Sequence, residues 1–219
     1  MWNLETLTLI KTLDGHSDAV RALCAVNGKV FSGSYDGTIS VWDMRTLDKV
    51  KVLRGHSGPV RALVVAGNNT RLLSGSYDKT VRVWDVDTLE TVGLLEGHTE
   101  AVRALTTCGP DRVISGSDDT TVRAWDLHTC QCLSIMHGHL DNVRVVAAAK
   151  DGSYVFSGSW DRTVRVWDTG SWTCVNVLEG HSEAVLALTV GDDFLASASY
   201  DSTVSGRRGD RVHAAPQSV

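Results

Sequence analysis

The pair Gly-His recurs at Gly15-His16, Gly55-His56, Gly97-His98, Gly138-His139 and Gly180-His181, at spacings of 40, 42, 41 and 42 residues. Four Trp-Asp pairs, at Trp42-Asp43, Trp84-Asp85, Trp125-Asp126 and Trp167-Asp168, keep the same period. A fixed period of this length marks stacked units that cannot bury their apolar faces alone, so it limits the chain to a repeat architecture. Within a unit, short apolar runs are broken by turn residues: VRALVVAG, then RLLSGSY, the turn residues Asp78-Lys79, TVRVWD, and TVGLLEG ahead of the next Gly-His. That pattern predicts four short strands joined by tight turns, and no stretch carries a helical period.

Composition narrows the function classes. The 219 residues are 42% hydrophobic and 21% charged, which is globular, and the net charge of −5 argues against a general nucleic-acid-binding surface. No run of 18 apolar residues occurs, and MWNLETLTLIKTLDG lacks the basic, apolar and small-residue layout of a signal peptide. A cytoplasmic or nuclear location is expected. Five cysteines, Cys24, Cys108, Cys130, Cys132 and Cys174, scattered through apolar segments, suit free thiols better than a disulfide framework.

Five correlated copies of this text, with Gly-His in all five and Trp-Asp in four, resemble the WD-repeat family, and the resemblance covers residues 2–205. It implies an all-β fold, a WD-repeat β-propeller of about five four-stranded blades with the last incomplete, either an open arc or a segment of a larger propeller. In that family a His, a Ser, a turn Asp and a Trp tie each blade together by hydrogen bonds. The matching sets are His16, Ser32, Asp36 and Trp42; His56, Ser74, Asp78 and Trp84; His98, Ser115, Asp119 and Trp125; His139, Ser157, Asp161 and Trp167. A Ser-His-Asp triple resembles hydrolase equipment, but a nucleophile needs an exposed oxygen and an oxyanion site. Recurrence in every unit reads as scaffold, so the expectation is a protein that is not an enzyme and needs no cofactor.

Both ends of the text are irregular. The fifth unit keeps His181, Ser197 and Asp201, but SASYDSTVSGRRGD places Arg207 where Trp is due. A buried Trp removes about 150–250 Å² from water, on the order of 4–6 kcal/mol, which an Arg does not replace. The third strand of this unit is expected to end near Val204 or Ser205, and 206–219 to form a disordered or aberrant tail such as a frame shift or unspliced junction produces. Met1-Trp2-Asn3 aligns with the end of a preceding unit. Propellers of the family close when the first strand completes the last blade; here that strand would be about Leu7 to Leu13, facing the damaged third strand. A segment of a longer propeller is favoured over a five-unit ring with an imperfect last blade.

Function is sought at positions that repeat without serving the scaffold. Five residues after each Gly-His histidine stand Arg21, Arg61, Arg103, Arg144 and Leu186, and just before each turn Asp stand Tyr35, Tyr77, Asp118, Trp160 and Tyr200. In the family both positions lie on the top face around the channel. Guanidinium groups beside aromatic rings suit capture of carboxylate or phosphate with stacking, which points to a scaffold binding protein, or an acidic or phosphorylated peptide, through Arg21, Arg61, Arg103, Arg144, Tyr35, Tyr77, Trp160 and Tyr200. The alternative is a self-paired rim, because Asp18, Glu100 and Asp141 each precede one of these arginines by three residues. Comparable arginines occur in F-box/WD-repeat receptors of phosphorylated degrons, and VRAL and SGSYD are similar to propellers of TRAF-type ubiquitin ligases and myosin heavy-chain kinases. A substrate-recognition propeller of a ubiquitin ligase is therefore the alternative function, its catalytic module lying outside this chain. His128, Cys130 and Cys132 alternate on an outer strand with His137 and His139 near, a conceivable zinc set that is set aside because His139 belongs to the blade network. Trp172 is expected in an exposed connection, and Arg207, Arg208 and Arg211 in a solvated basic tail.

Overall fold

The computed structural model describes residues 1–208, the last two through their backbone alone. Among the described residues there are nineteen strands and no helices. The first sheet holds β1 (Val20–Val26), β2 (Lys29–Ser34), β3 (Ile39–Asp43) and β4 (Lys49–Leu53) in antiparallel order. The next three sheets repeat it: β5 (Val60–Ala66), β6 (Arg71–Ser76), β7 (Val81–Asp85) and β8 (Thr91–Leu95); β9 (Val102–Thr107), β10 (Arg112–Ser117), β11 (Val122–Asp126) and β12 (Cys132–Met136); β13 (Val143–Ala148), β14 (Tyr154–Ser159), β15 (Val164–Asp168) and β16 (Cys174–Leu178). The fifth has only β17 (Val185–Val190), β18 (Phe194–Ser199) and β19 (Val204–Arg208). These are the four complete blades and one incomplete blade that the period demands.

Each tight turn from second to third strand puts one residue in the left-handed region, and Gly37 at φ 79° takes it without strain. Lys79, Thr120, Arg162 and Ser202 adopt the same conformation with a side chain present. The loop from third to fourth strand is set by the Asp of Trp-Asp. Asp43 Oδ1 accepts the amides of Arg45 and Thr46 at 2.8 Å each, and Leu47 follows at φ 61°. Asn3 does the same for Glu5 and Thr6 at 2.8 and 2.9 Å, and Trp2 pairs with Leu9 as Trp42 pairs with Lys49. Residues 2–9 therefore have the geometry of the third-to-fourth-strand loop of a repeat.

Blades are joined by a knob in a hole. The first valine of each inner strand, Val60, Val102, Val143 and Val185, is 0% exposed. A Cβ placed on Gly33, Gly75, Gly116 or Gly158 of the preceding blade would lie 2.7, 2.8, 2.7 or 2.6 Å from that valine's Cγ1. Glycine is thus required by close approach, and burial of four such valines is worth about 1.5–3 kcal/mol each. The inner strands pack in the series β1, β5, β9, β13, β17, each also resting on the second strand of the blade before it. Among the described residues no blade packs on Val20 as the others pack on their inner-strand valines; it is 47% exposed, and the arc they form does not close.

Two expectations are corrected. β19 does not stop at Val204 or Ser205 but pairs with β18 through Phe194 opposite Arg208, since backbone pairing does not depend on the missing Trp. Residues 209–219 lie outside the described residues. In keeping with the open arc, Leu7–Leu13 does not complete the fifth blade: Leu9 bridges to Trp2, and β19 ends its sheet. Trp172 is half-buried, at φ 57° in the left-handed position of Leu47 and Leu89, where it packs on a core cluster beneath Arg112, whose guanidinium carbon lies 5.7 Å from its ring.

Replacing Gly116 by Ala is expected to destabilise the protein by about 1–3 kcal/mol through overpacking against Val143. Denaturant melts of the two proteins check it, and superimposable curves would refute the knob-in-hole account.

Candidate functional site

The blade network holds the rim in place. Trp42 Nε1 donates to Ser32 Oγ at 2.9 Å, Ser32 Oγ lies 2.8 Å from His16 Nε2, and His16 Nδ1 lies 2.8 Å from Asp36 Oδ2. With the indole able only to donate, the hydroxyl passes its own proton to Nε2 and Nδ1–H donates to the carboxylate, so one tautomer satisfies every member. Blade two repeats this with Trp84, Ser74, His56 and Asp78 at 2.9, 2.7 and 2.7 Å. Trp125, Ser115, His98 and Asp119 follow at 2.8, 2.7 and 2.7 Å, and Trp167, Ser157, His139 and Asp161 at 2.8, 2.7 and 2.7 Å. In blade five His181 bonds Ser197 and Asp201 at 2.8 Å each, and strand register puts Arg207 opposite Leu195, as Trp167 stands opposite Val155.

The Asp also fixes the turn. Asp119 Oδ1 accepts the Thr121 amide and hydroxyl, and Oδ2 accepts the Thr99 amide. Burial would raise this carboxyl, but the His98 and Thr121 hydrogen bonds outweigh it and hold it well below the ordinary carboxylate range. Asp36, Asp78 and Asp161 are lowered against burial in the same way. The Ser hydroxyls are sealed in: Ser74, Ser115 and Ser157 are buried beneath Trp and His and face no cleft.

One residue before each network Asp stands the rim. Tyr35 and Tyr77 pair with ring centroids 5.7 Å apart and hydroxyls 3.1 Å apart, and Trp160 and Tyr200 meet edge to face at 6.4 Å. Arg21 lies over Tyr35 at 5.1 Å and Arg103 over Tyr77 at 4.3 Å. Arg103 is also gripped by Asp118, with Nε 2.8 Å from both carboxylate oxygens, and Nη1 donates to the Tyr77 hydroxyl. The Arg61 Nε is buried without a hydrogen-bond partner, and burial together with the charges of Arg144 and Arg21 lowers the affinity of this guanidinium for its proton. The Tyr77 hydrogen bond lowers the Tyr35 phenol, while burial raises that of Tyr77.

The self-pairing alternative is realised differently from the sequence expectation. Asp18 and Asp141 accept the amides of Ala19 and Asn142, and Glu100 pairs with Lys79 at 3.2 Å. None of the three reaches its arginine. The single carboxylate on these arginines among the described residues is Asp118, at the position where other blades carry aromatic rings. His128, Cys130 and Cys132 do not alternate along one strand: His128 and Cys130 lie in the loop before β12, Cys130 at φ 57°, and only Cys132 is on the strand. His128 pairs with Asp111 at 3.0 Å and Cys132 Sγ faces the Ser134 carbonyl, while His139 is held in its network. Among the described residues no three His, Cys, Asp or Glu side chains are placed to hold a metal ion.

Sequence reasoning passed over a second arginine row. Arg82, Arg123 and Arg165 on the third strands cover Gly55, Gly97 and Gly138, and the Nε of each is buried without a partner. The recurring V-R-x-W text carried the signal. Their guanidinium groups lie against the Gly of the Gly-His pair and, for Arg123, 5.8 Å from the Trp125 ring centroid, as lids on the network.

The family model described as WD domain, G-beta repeat matches residues 7–43, 47–85, 89–126, 130–168 and 172–205. A comparison with curated proteins gave no match.

The network has a pH signature. The Asp119 carboxyl is depressed relative to its unfolded value of about 3.9, so its contribution is complete above about pH 4 and is lost as pH falls toward the folded value. Asp119→Asn is expected to cost about 1.5–3 kcal/mol at pH 7, with a deficit against wild type that narrows below about pH 4. Thermal melts from pH 7 to pH 3 check this, and a deficit that widened in acid would contradict it.

Proposed function

The chain belongs to the WD domain, G-beta repeat family, and from that premise we propose that it is a non-enzymatic interaction scaffold whose arginine and tyrosine rim binds an acidic or phosphorylated peptide. Proteins of this kind generally serve as platforms for other proteins rather than as catalysts. The observation that carries the finer reading is the set Arg21, Arg61 and Arg144, three guanidinium groups that share one rim and have no carboxylate partner among the described residues.

Burial of the Arg61 guanidinium without a carboxylate partner disfavours its charge, and an oxyanion at its terminal nitrogens offsets that cost. Mutual repulsion among Arg21, Arg61 and Arg144 is likewise relieved by an anion. The adjoining Tyr35–Tyr77 pair offers ring faces and hydroxyls for the rest of a peptide. The buried Ser and His of each blade are committed to the scaffold, which argues against a hydrolytic use of the same residues.

The double variant Arg61→Glu, Arg144→Glu is expected to lose at least tenfold in affinity for phosphorylated peptides while its melting temperature stays within a few degrees of wild type. Fluorescence anisotropy with labelled phosphopeptides, beside a thermal melt, measures both. Undiminished binding by the reversed rim would remove the proposal.

A further inference from the structure

We infer that Asp118 is a resident competitor on the rim: it occupies the anion subsite at Arg103 and leaves a single open subsite, at Arg21, Arg61 and Arg144, for one acidic group of a ligand. This rests on the reading of the rim as an anion-binding face and goes further, because it assigns the number of acidic groups the face takes and the residue that sets it.

The blades are equivalent at these positions. Arg21, Arg61, Arg103 and Arg144 each stand second on an inner strand, and the residues before the turn Asp in those blades are Tyr35, Tyr77, Asp118 and Trp160. Only the third blade places a carboxylate there. Arg103 Nε lies 2.8 Å from Asp118 Oδ1 and 2.8 Å from Oδ2, and Nη2 lies 2.5 Å from Oδ2. The remaining edge of the guanidinium is taken by the Tyr77 hydroxyl, which Nη1 contacts. The two side chains are 18% and 16% exposed, so the pair is sheltered from water. A ligand carboxylate or phosphoryl group would make this same fork-shaped contact with an arginine, and Asp118 already makes it.

The electrostatics of the two halves differ accordingly. Burial acts against the charge on Arg103, yet the hydrogen bonds and charge of Asp118 overcome it and raise its proton affinity. Arg61, similarly buried but without a carboxylate, is shifted the opposite way. Arg144 adds to that unbalanced charge. A ligand with one acidic group therefore meets a complete site, while a second acidic group meets an arginine already neutralised and a carboxylate that repels it.

The test uses the full chain, labelled at arginine Nε, and inorganic phosphate as the probe. In wild type, phosphate is expected to shift the Arg61 and Arg144 Nε–H resonances and leave Arg103 unmoved; in Asp118→Ala, and in Asp118→Asn, which keeps the size of the side chain, Arg103 shifts as well. In parallel, fluorescein-labelled Ala-Gly peptides with one phosphoserine should bind wild type and Asp118→Ala within about twofold of each other. Peptides with two phosphoserines two, four or six residues apart should gain about tenfold on Asp118→Ala at one spacing or more, the size of one charged hydrogen-bonded contact. An Arg103 resonance that follows phosphate in wild type, one that stays still in both Asp118 variants, or no gain for any doubly phosphorylated peptide overturns the inference. Phosphate that moves none of Arg21, Arg61 and Arg144 defeats instead the underlying reading of the rim.

Discussion

The hydrogen-bonded chain from Trp indole through Ser hydroxyl and His ring to Asp carboxylate is the interaction on which the rest of the structure depends. It crosses a blade from the third strand to the second, then to the loop entering the inner strand, and ends at the tight turn. Each member is buried, so each would cost about 1–3 kcal/mol if left unpaired, and only the complete set makes the burial favourable. Its Asp accepts from His, from the hydroxyl and amide two residues on, and from the amide after His, so the turn cannot move without breaking several contacts. The fifth blade shows the set with its donor missing: His181, Ser197 and Asp201 keep their bonds, and an arginine stands at the tryptophan register.

Rigidity at the turn is what makes a rim. Tyr35, Tyr77, Asp118, Trp160 and Tyr200 each precede a network Asp by one residue, and the arginines lie on the inner strands that the loops after Gly-His deliver. The packing of Val60, Val102, Val143 and Val185 against glycines then sets the distance from blade to blade, and so from one rim residue to the next. Positioning a charge cluster on rigid elements lowers the ordering cost of binding. The molecule thereby converts a structural repeat into a repeated presentation of side chains, within which single substitutions, such as Asp118 for an aromatic ring, give each blade its own chemistry.

Much of this was legible in the text. The period carries the blades, and the constant six-residue step from Asp36 to Trp42 and its equivalents puts Arg207 at the missing Trp, as the strand register does. That the arginine and aromatic positions lie beside one another was legible too, since positions repeating outside the network are few. Pairing within the rim was not. A carboxylate three residues before a strand arginine falls across the alternation of a strand and within a turn that uses it locally, which is why Asp18 and Asp141 cap backbone amides instead. Arg103 meets Asp118 fifteen residues away, across two strands, a contact that register alone brings about. Trp172 was misjudged because its loop position carries Leu, Leu and Cys in other blades, and only the left-handed backbone there shows that the side chain turns inward.

The seven tryptophans offer the most direct measure of whether the network holds the blades as described. Trp42, Trp84, Trp125 and Trp167 donate their indole protons to buried serines, whereas Trp2 and Trp160 are exposed. Hydrogen exchange of the indole Nε1–H groups, followed by nuclear magnetic resonance in the full chain, should show four slowly exchanging protons assigned to those four residues, with Trp2 and Trp160 exchanging within the dead time. Rapid exchange at all of them, in a protein that is otherwise folded, would contradict the account.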